Sequence, residues 1–77
     1  MKNTVRQTNT VFRAFADETR LRILNVLLEG ELCVCDLAAV LEMSPAAVSQ
    51  HLGRLRAGRL VRSRRDGMTV FYRVDSG

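Results

Sequence analysis

The chain has 77 residues, of which 47% are hydrophobic and 26% are charged, with a formal net charge of +4. This length predicts one domain with a small core, and the composition is that of a globular protein rather than a disordered one. No apolar run approaches the roughly 20 residues needed to cross a bilayer, and the polar start MKNTVRQTNT lacks a signal-peptide core. We therefore expect a single domain, residues 1–77, in the cytoplasm.

The positive charge is concentrated in the second half of the chain. Residues 1–43 hold five basic and six acidic residues, whereas residues 44–77 hold seven arginines and only two aspartates. The planar guanidinium group matches phosphate oxygens and guanine edges better than a lysine ammonium does. This asymmetry favours a surface that meets nucleic-acid phosphates, and a solvated charged face is the alternative.

The hydrophobic periodicity predicts four helices followed by a β-hairpin. A first helix spans about residues 5–16, and Asp17 is then the expected N-cap of a second helix, which Gly30 ends. A short third helix covers about residues 34–41. The residues expected on the inner faces are Val5, Thr8, Phe12 and Phe15 in the first helix, Leu21, Ile23, Leu24, Leu27 and Leu28 in the second, and Leu37, Val40 and Leu41 in the third.

The stretch SPAAVSQHLGRLRAG carries clear boundary signals for the fourth helix. Ser44 is a good N-cap, Pro45 suits the first helical position, and Gly58 is a stop. Two helices joined by a short turn, the second with small and hydrogen-bonding residues outside, form a helix-turn-helix that fits a major groove. The expected inner residues are Val48, Leu52 and Leu55, and the expected outer residues are Ala46, Ala47, Ser49, Gln50 and Arg54.

After the fourth helix the pattern changes to alternation. The runs RLVRSRR and MTVFYRV flank Asp66-Gly67, which is a strong hairpin-turn signal. Arg62, Arg64 and Arg65 are expected near the hairpin tip, from which they would reach the DNA backbone or the adjacent minor groove. Arginine also keeps exposed strands from pairing with neighbours, and this alternative stays open. The predicted fold class is mainly α with a small β-hairpin: a winged helix-turn-helix of about four helices and a two-stranded wing.

The segment ELCVCDL places two cysteines where the third helix begins. Cys33 is expected at the N-cap and Asp36 at the third helical position, which is the frame of a capping box with a thiol in place of serine. The N-terminal end of a helix favours a thiolate, the form that binds soft ions. Helical side chains two residues apart diverge by roughly 200°, so one ion reaches both thiols only if Cys33 stays outside the helix or the first turn distorts.

Two alternatives to ion binding stay open for Cys33 and Cys35. They are small buried hydrophobes in a protein that senses nothing, or they exchange disulfides. The second alternative is disfavoured because no βαβ pattern surrounds the thiols. A structural disulfide is not expected from two cysteines one residue apart.

Three segments together resemble the ArsR/SmtB family of metal- and metalloid-responsive transcriptional repressors: FADETRLRILNVLLEGELCVCDLA, SPAAVSQHLGRLRAGRLV and a wing ending in FYRV. The resemblance covers about residues 12–74. It implies a winged helix-turn-helix that binds operator DNA as a homodimer, through helix one, and leaves the DNA when an ion binds Cys33 and Cys35. The predicted DNA-binding residues are Ser44, Ala46, Ala47, Ser49, Gln50, His51, Arg54, Arg62, Arg64 and Arg65.

The chain departs from this family in its thiol ligands. Arsenic-sensing relatives often have a third cysteine where this chain has Ala38, and cadmium- and lead-type relatives draw on N-terminal cysteines that residues 1–32 lack. Asp36, a water or a small-molecule thiol would complete a site. His51 is expected to contact DNA or pack rather than bind an ion. The candidate ions are arsenite, antimonite and the soft divalent metals cadmium, lead and zinc.

The family also has a final dimerisation helix, which the 77 residues do not include. A truncated chain or a weakened homodimer is therefore expected. Two other functions stay open: a winged-helix DNA-binding protein without metal sensing, and a winged-helix module that binds proteins. No hydrolase or phosphate-loop motif is present, so an enzyme is not expected.

Overall fold

The computed structural model describes the backbone of residues 2–75, and the side chains of residue 14 and residues 16–75. Its elements in chain order are α1 (Lys2–Leu27), β1 (Leu32–Cys33), α2 (Val34–Leu41), α3 (Pro45–Ala57), β2 (Val61–Asp66) and β3 (Thr69–Val74). The strands form one antiparallel sheet in the order β1-β3-β2. This is the predicted fold class, with an additional strand, β1, that the sequence did not indicate.

Helix α1 is continuous where the sequence predicted two helices. The predicted boundary at Asp17 is wrong, because the helix runs through it and the Asp17 carboxylate pairs with Arg20 instead of capping a new helix. Residues 2–27 contain neither glycine nor proline, so no residue interrupts the helical hydrogen bonds. Within the described part of the chain, no helix has both the length and the apolar character to span a membrane.

The apolar core lies between the helices and the sheet. Ile23 in α1, Leu37 in α2, and Val48 and Leu52 in α3 are fully buried, and Val61 brings β2 onto the same cluster. The inner face of α3 is therefore the predicted one, and its opposite face points outward. The other core residues are Leu27, Ala38, Leu41 and Leu55.

Three residues expected inside are exposed: Leu21 by 59%, Leu28 by 69% and Val40 by 57%. Ile23 and Leu27, one turn apart, face the core. Leu21 and Leu28 lie at least roughly 100° away from them around the helix, and so they point to solvent. A dense run of apolar residues does not by itself show which face of a helix is buried. The predicted stripe of Val5, Thr8, Phe12 and Phe15 lies outside the described side chains.

The wing turn lies one residue later than predicted. β2 and β3 pair in register from Val61 opposite Val74 to Asp66 opposite Thr69, so that Gly67 and Met68 form the two-residue loop. Gly67 has a φ of 64°, and Met68 is not among the residues with positive φ. Glycine at the first loop position is the signature of a type II′ turn, which suits the twist of a hairpin.

Strand β1 joins the thiol segment to the wing. Leu32 pairs with Tyr72, and Cys33 pairs with Phe71. Leu32 and Tyr72 pack against the core. Because side chains alternate across a strand, Cys33 and Phe71 lie on the other, outer face of the sheet. Cys33 is also the N-cap of α2, so one residue belongs to both the sheet and the helix-turn-helix.

Candidate nucleic-acid interface and thiol pair

Ser44 is the N-cap of α3, as predicted. Ser44 has an extended backbone, and its Oγ accepts a hydrogen bond of 3.2 Å from the Ala47 N–H. Pro45 takes the first turn, where its missing N–H leaves no helical bond unmade. The Ser44 oxygen thus fixes the start of α3, and its hydroxyl proton is left to donate outward.

The outward face of α3 is not engaged by the rest of the protein. Ala46, Ser49, Gln50 and Arg54 are exposed, and Ala47 is half-buried. Among the described residues, no hydrogen bond or ion pair engages the side chains of Ser49, Gln50 or Arg54. A narrow face with one hydroxyl and one amide is able to approach base edges closely.

His51 lies at the edge of α3 near α1. It is half-buried. Burial lowers the pKa of His51 below its usual 6.5, and the charges of Arg20 and Arg54 lower that pKa further. Both effects favour the neutral imidazole. Because it is half-buried, His51 flanks the outward face rather than occupying its centre.

The three predicted wing arginines lie on two faces of the sheet. Alternation along β2 places Arg62 and Arg64 on the outer face and Arg65 on the inner one. Arg62 is at the base of the wing opposite Arg73, and its Nε is 3.2 Å from Oδ1 of Asp75. Arg65 is next to the tip. The prediction that the three cluster at the tip is wrong, because strand alternation and a rise of about 3.3 Å per residue separate them.

Arg64 is bonded within the protein. Its Nε donates to both carboxylate oxygens of Glu31, at 2.8 and 2.9 Å, and its Nη2 lies 2.6 Å from Glu31 Oε1. Its guanidinium carbon is 4.7 Å from the centroid of the Phe71 ring. The hydrogen bond from Arg64 lowers the pKa of the Glu31 carboxyl, and the same bond raises the pKa of Arg64. Both members of the pair therefore stay charged.

A groove of about 430 Å³ lies between the C-terminal end of α3 and the wing. The sequence did not single out Arg56, Arg59 and Arg73, which line it together with Arg62 and Arg64. The arginine-rich second half indicated a basic surface, but the fold was needed to show which arginines meet. Asp75 is the one carboxylate among the lining residues within the described part of the chain. The groove is therefore strongly cationic.

The two thiols lie at the start of α2. Cys33 is half-buried, Cys35 is exposed, and both are free. Cys33 has an extended backbone, with φ of −83° and ψ of 166°, and so it stays outside the helix. No side-chain hydrogen bond caps α2; the Cys33 thiol instead donates to Oδ2 of Asp36 at 3.2 Å.

The donors at this position fit a soft ion in part. Cys33 and Cys35 offer two thiols from adjoining backbone segments, which suits a thiophilic ion. In the part of the chain that the structure describes, no three His, Cys, Asp or Glu side chains are grouped as the ligands of a metal. A third donor would have to come from a rearrangement or from outside the described residues.

The family model and the relatives that this chain resembles indicate the same family. The family model described as "Bacterial regulatory protein, arsR family" matches residues 17–63, which is more than half of the chain. The transcriptional repressor SmtB homolog of Synechocystis is 52% identical over 61 residues, covering 79% of this chain and 46% of that protein. The arsenical resistance operon repressor of Escherichia coli is 48% identical over 65 residues, covering 83% of this chain and 56% of that protein. The chain spans about half the length of the curated relatives it matches.

A solved structure shares the fold. The homodimeric winged helix-turn-helix DNA-binding domain of Mb0332 from Mycobacterium bovis, a possible ArsR-family transcriptional regulator, matches with a TM-score of 0.75 and 34% identity. The match covers 95% of this chain and 68% of that one. Family model, sequence identity and fold agree, and the chain belongs to the arsR family of bacterial regulatory proteins.

Proposed function

We propose that this chain is the DNA-binding domain of a transcriptional repressor, which holds operator DNA with α3 and the wing and leaves it when a soft ion binds Cys33 and Cys35. The observation that carries the DNA-binding part is the outward face of α3. Its exposed Ser49, Gln50 and Arg54 have no partner among the described residues, its helix starts at a capped end, and a cationic groove lies between the other end of that helix and the wing. The relatives named as repressors support the regulatory part.

The residues of this surface divide by chemistry into base-reading and phosphate-binding groups. The amide of Gln50 and the hydroxyl of Ser49 match the donors and acceptors of base edges, and the methyl groups of Ala46 and Ala47 match thymine. Arg54 and Arg65 are exposed cations without an ion-pair partner in the described part of the chain, and they suit phosphates.

Gly53 supports a close approach to the duplex. It is exposed on the outer side of α3, and a Cβ added there would meet no atom within 4 Å. Packing within the chain therefore does not require glycine at this position. We propose that the bare backbone at Gly53 lets the DNA backbone come close, which would offset the roughly 1 kcal/mol that glycine costs a helix relative to alanine.

A homodimer is proposed through α1. Leu21 and Leu28 are exposed by 59% and 69%, and with Leu24 they form an apolar stripe at spacings of three and four residues. A second copy would cover this stripe, and the homodimeric state of the Mycobacterium bovis domain supports dimer formation. Two α3 helices related by a twofold axis would read a palindromic operator. We propose that the protein acts in the cytoplasm, because the regulators of its bacterial family act on DNA there.

The sensing part of the proposal depends on Cys33 and Cys35. They are free and lie at the start of α2, the helix that directly precedes α3, and a relative named for arsenical resistance supports arsenite as a candidate. When bound, a soft ion would link the two thiols. Antimonite, cadmium, lead and zinc are the other candidates, since thiolates bind all of them.

The sensing test uses a complex formed before the ion is added. Duplexes that bind the protein are first selected from a random pool, and sodium arsenite, cadmium chloride or zinc chloride is then titrated into the complex. We expect at least one ion to release DNA from the natural chain and none to release it from the Cys33→Ser/Cys35→Ser variant. Equal DNA affinity with and without every ion would contradict sensing and leave a DNA-binding protein without it.

A second experiment separates DNA binding from protein binding. Binding to the selected duplexes should weaken steeply as salt rises, and Arg65→Gln should reduce affinity for all sequences and lower the salt slope by about 1. Gln50→Ala should instead change the preferred sequence. Salt-independent binding would favour the protein-interaction module, and a uniform loss of affinity in Gln50→Ala would contradict base reading by Gln50.

A further inference from the structure

The Glu31–Arg64 ion pair joins two distant parts of the chain. Glu31 directly precedes β1, and Arg64 lies in β2, 33 residues later. The strand order is β1-β3-β2, so the two side chains reach each other across the central strand β3. The contact therefore fastens the outer two strands of the sheet to each other over the third.

The side chain beneath this contact belongs to β3. Phe71 pairs in register with Cys33 on one side and with Arg64 on the other. These three residues form one row on the outer face of the sheet. The Arg64 guanidinium lies over the Phe71 ring, and Glu31 holds it there from the β1 side. The row begins at a residue of the thiol pair and ends in the wing.

The backbone attachment between β1 and β3 is small, because β1 has only two residues. The Glu31–Arg64 ion pair, which spans the sheet, therefore contributes to holding the wing in position. Most exposed ion pairs contribute little to stability. An arginine that contacts a carboxylate at two points has the geometry in which such a pair does contribute. The Glu31 side chain is only 25% exposed, and the Arg64 side chain is 53% exposed.

We propose that Arg64 is a positioning residue rather than a phosphate contact, and that Glu31, Phe71 and Arg64 form a latch that holds the wing to the segment carrying Cys33. The inference rests on the proposed DNA-binding function, because a held wing matters only if the wing meets DNA. It assigns Arg64 a role different from that of Arg65, whereas the sequence predicted that both residues bind DNA. Arg65, near the tip and on the other face, keeps the phosphate role.

The latch also gives the thiol segment a path to the wing. Glu31 is two residues before Cys33, and Phe71 is its strand partner. A displacement of Cys33 therefore changes both the carboxylate that holds Arg64 and the ring beneath it. The wing and the start of α2 would move together.

The sign of two charge changes separates the latch from a phosphate contact. Glu31→Gln removes a negative charge, and Arg64→Gln removes a positive one. If Arg64 contacted phosphate, Glu31→Gln would strengthen binding to the selected duplexes and Arg64→Gln would weaken it. A latch predicts that both weaken binding by about two- to fivefold, the range of a well-formed exposed ion pair, and that the double variant is no weaker than either single one.

Two control variants measure how a change in net charge alone alters DNA affinity. Glu29→Gln and Arg22→Gln change the same charges at exposed residues that have no ion pair in the described part of the chain. The effects of Glu31→Gln and Arg64→Gln are measured relative to these controls. Opposite signs, or effects that add in the double variant, would overturn the latch.

A measurement without DNA keeps the two proposals separate. Amide hydrogen exchange in residues 68–71 of the free chain should rise about two- to fivefold in Glu31→Gln and in Arg64→Gln, and stay unchanged in Arg65→Gln and both controls. If the natural chain binds no duplex, the proposed function fails while exchange still tests the latch. Unchanged exchange in Glu31→Gln and Arg64→Gln would overturn the latch even where DNA binding is confirmed.

Discussion

The two helices of the helix-turn-helix begin with different caps. Ser44 accepts a hydrogen bond from the Ala47 N–H and is followed by Pro45, whereas the Cys33 sulfur accepts no hydrogen bond from a backbone N–H of α2 and its thiol donates to the Asp36 side chain instead. Both caps have extended backbones, so the difference lies in the side-chain atom: a serine oxygen is a good acceptor and a sulfur is a weak one. The start of α3 therefore has a side-chain bond to a backbone N–H, and the start of α2 lacks one.

This difference matches the roles proposed for the two helices. A helix that reads base edges must keep its position, and a fixed N-terminus places Ser49 and Gln50 reproducibly. A segment that responds to an ion must be able to change at low cost in free energy. The start of α2 lacks a cap bond worth about 1 kcal/mol in other helices, and the thiols lie at that same place.

The largest expected effect in this comparison is from removal of the good cap. Ser44→Ala leaves the Ala47 N–H without its partner and should reduce the free energy of unfolding by about 1 kcal/mol. For a domain of this size, such a loss corresponds to a fall in Tm of roughly 4–8 °C. Thermal unfolding followed by circular dichroism measures it. An unchanged Tm would mean that the two helix starts do not differ in strength.

A somewhat smaller effect, of opposite sign, is expected further along α3. Gly53→Ala has room for its methyl group and should raise the free energy of unfolding by about 0.5–1 kcal/mol. If the DNA backbone approaches at this position, the same variant should bind the selected duplexes more weakly although it is more stable. Urea unfolding and DNA titration on one preparation give both values, and unchanged affinity would exclude a close approach at Gly53.

Conversion of the poor cap into a good one gives the next prediction. Cys33→Ser places a hydroxyl oxygen at the N-cap of α2 and should raise the free energy of unfolding by about 0.5 kcal/mol. Cys35→Ser is the matched control, since it makes the same chemical change at an exposed position inside the helix and should have little effect. A loss of stability in Cys33→Ser beyond that of the control would contradict the account of α2.

The smallest expected effect is a pH dependence carried by α3. Burial and the neighbouring arginines lower the pKa of His51 in the folded chain below 6.5. As pH falls below 6.5, the imidazole of the unfolded chain binds a proton before that of the folded chain does. The stability that neutral His51 contributes is therefore fully present above pH 6.5 and is lost below it. The decline in stability between about pH 7.5 and about pH 5.5 should be smaller in His51→Gln, because most carboxyl groups titrate at lower pH. An equal decline in both chains would exclude His51 as its source.

The local signals in the sequence predicted the helix-turn-helix well. Ser44, Pro45 and Gly58 bound α3 where expected, and residues 34–41 form α2, because caps and stops act through neighbouring residues. Asp17 failed as a boundary because a capping residue starts a helix only where the preceding one has ended, and no residue ends α1 there. The turn moved by one residue because Asp66 still pairs with Thr69.

Periodicity and motifs could not predict the long-range contacts. β1 exists only because Leu32 and Cys33 meet Tyr72 and Phe71 about 40 residues later. The Glu31–Arg64 pair depends on the pairing of β1 with β3, which the sequence did not indicate. Arg64 was therefore expected to be free to contact DNA near the wing tip. The groove arginines come from α3, the following turn and both wing strands, and only the fold brings them together.

A map of amide chemical shifts during titration with a selected duplex tests most directly whether the outward face of α3 meets DNA. If it does, the largest changes will be at Ser49, Gln50 and Arg65, with little change along Leu21 to Leu28 of α1, where a second copy is proposed to pack. Changes confined to that α1 stripe, or none on α3, would contradict the claim that the outward face of α3 meets DNA.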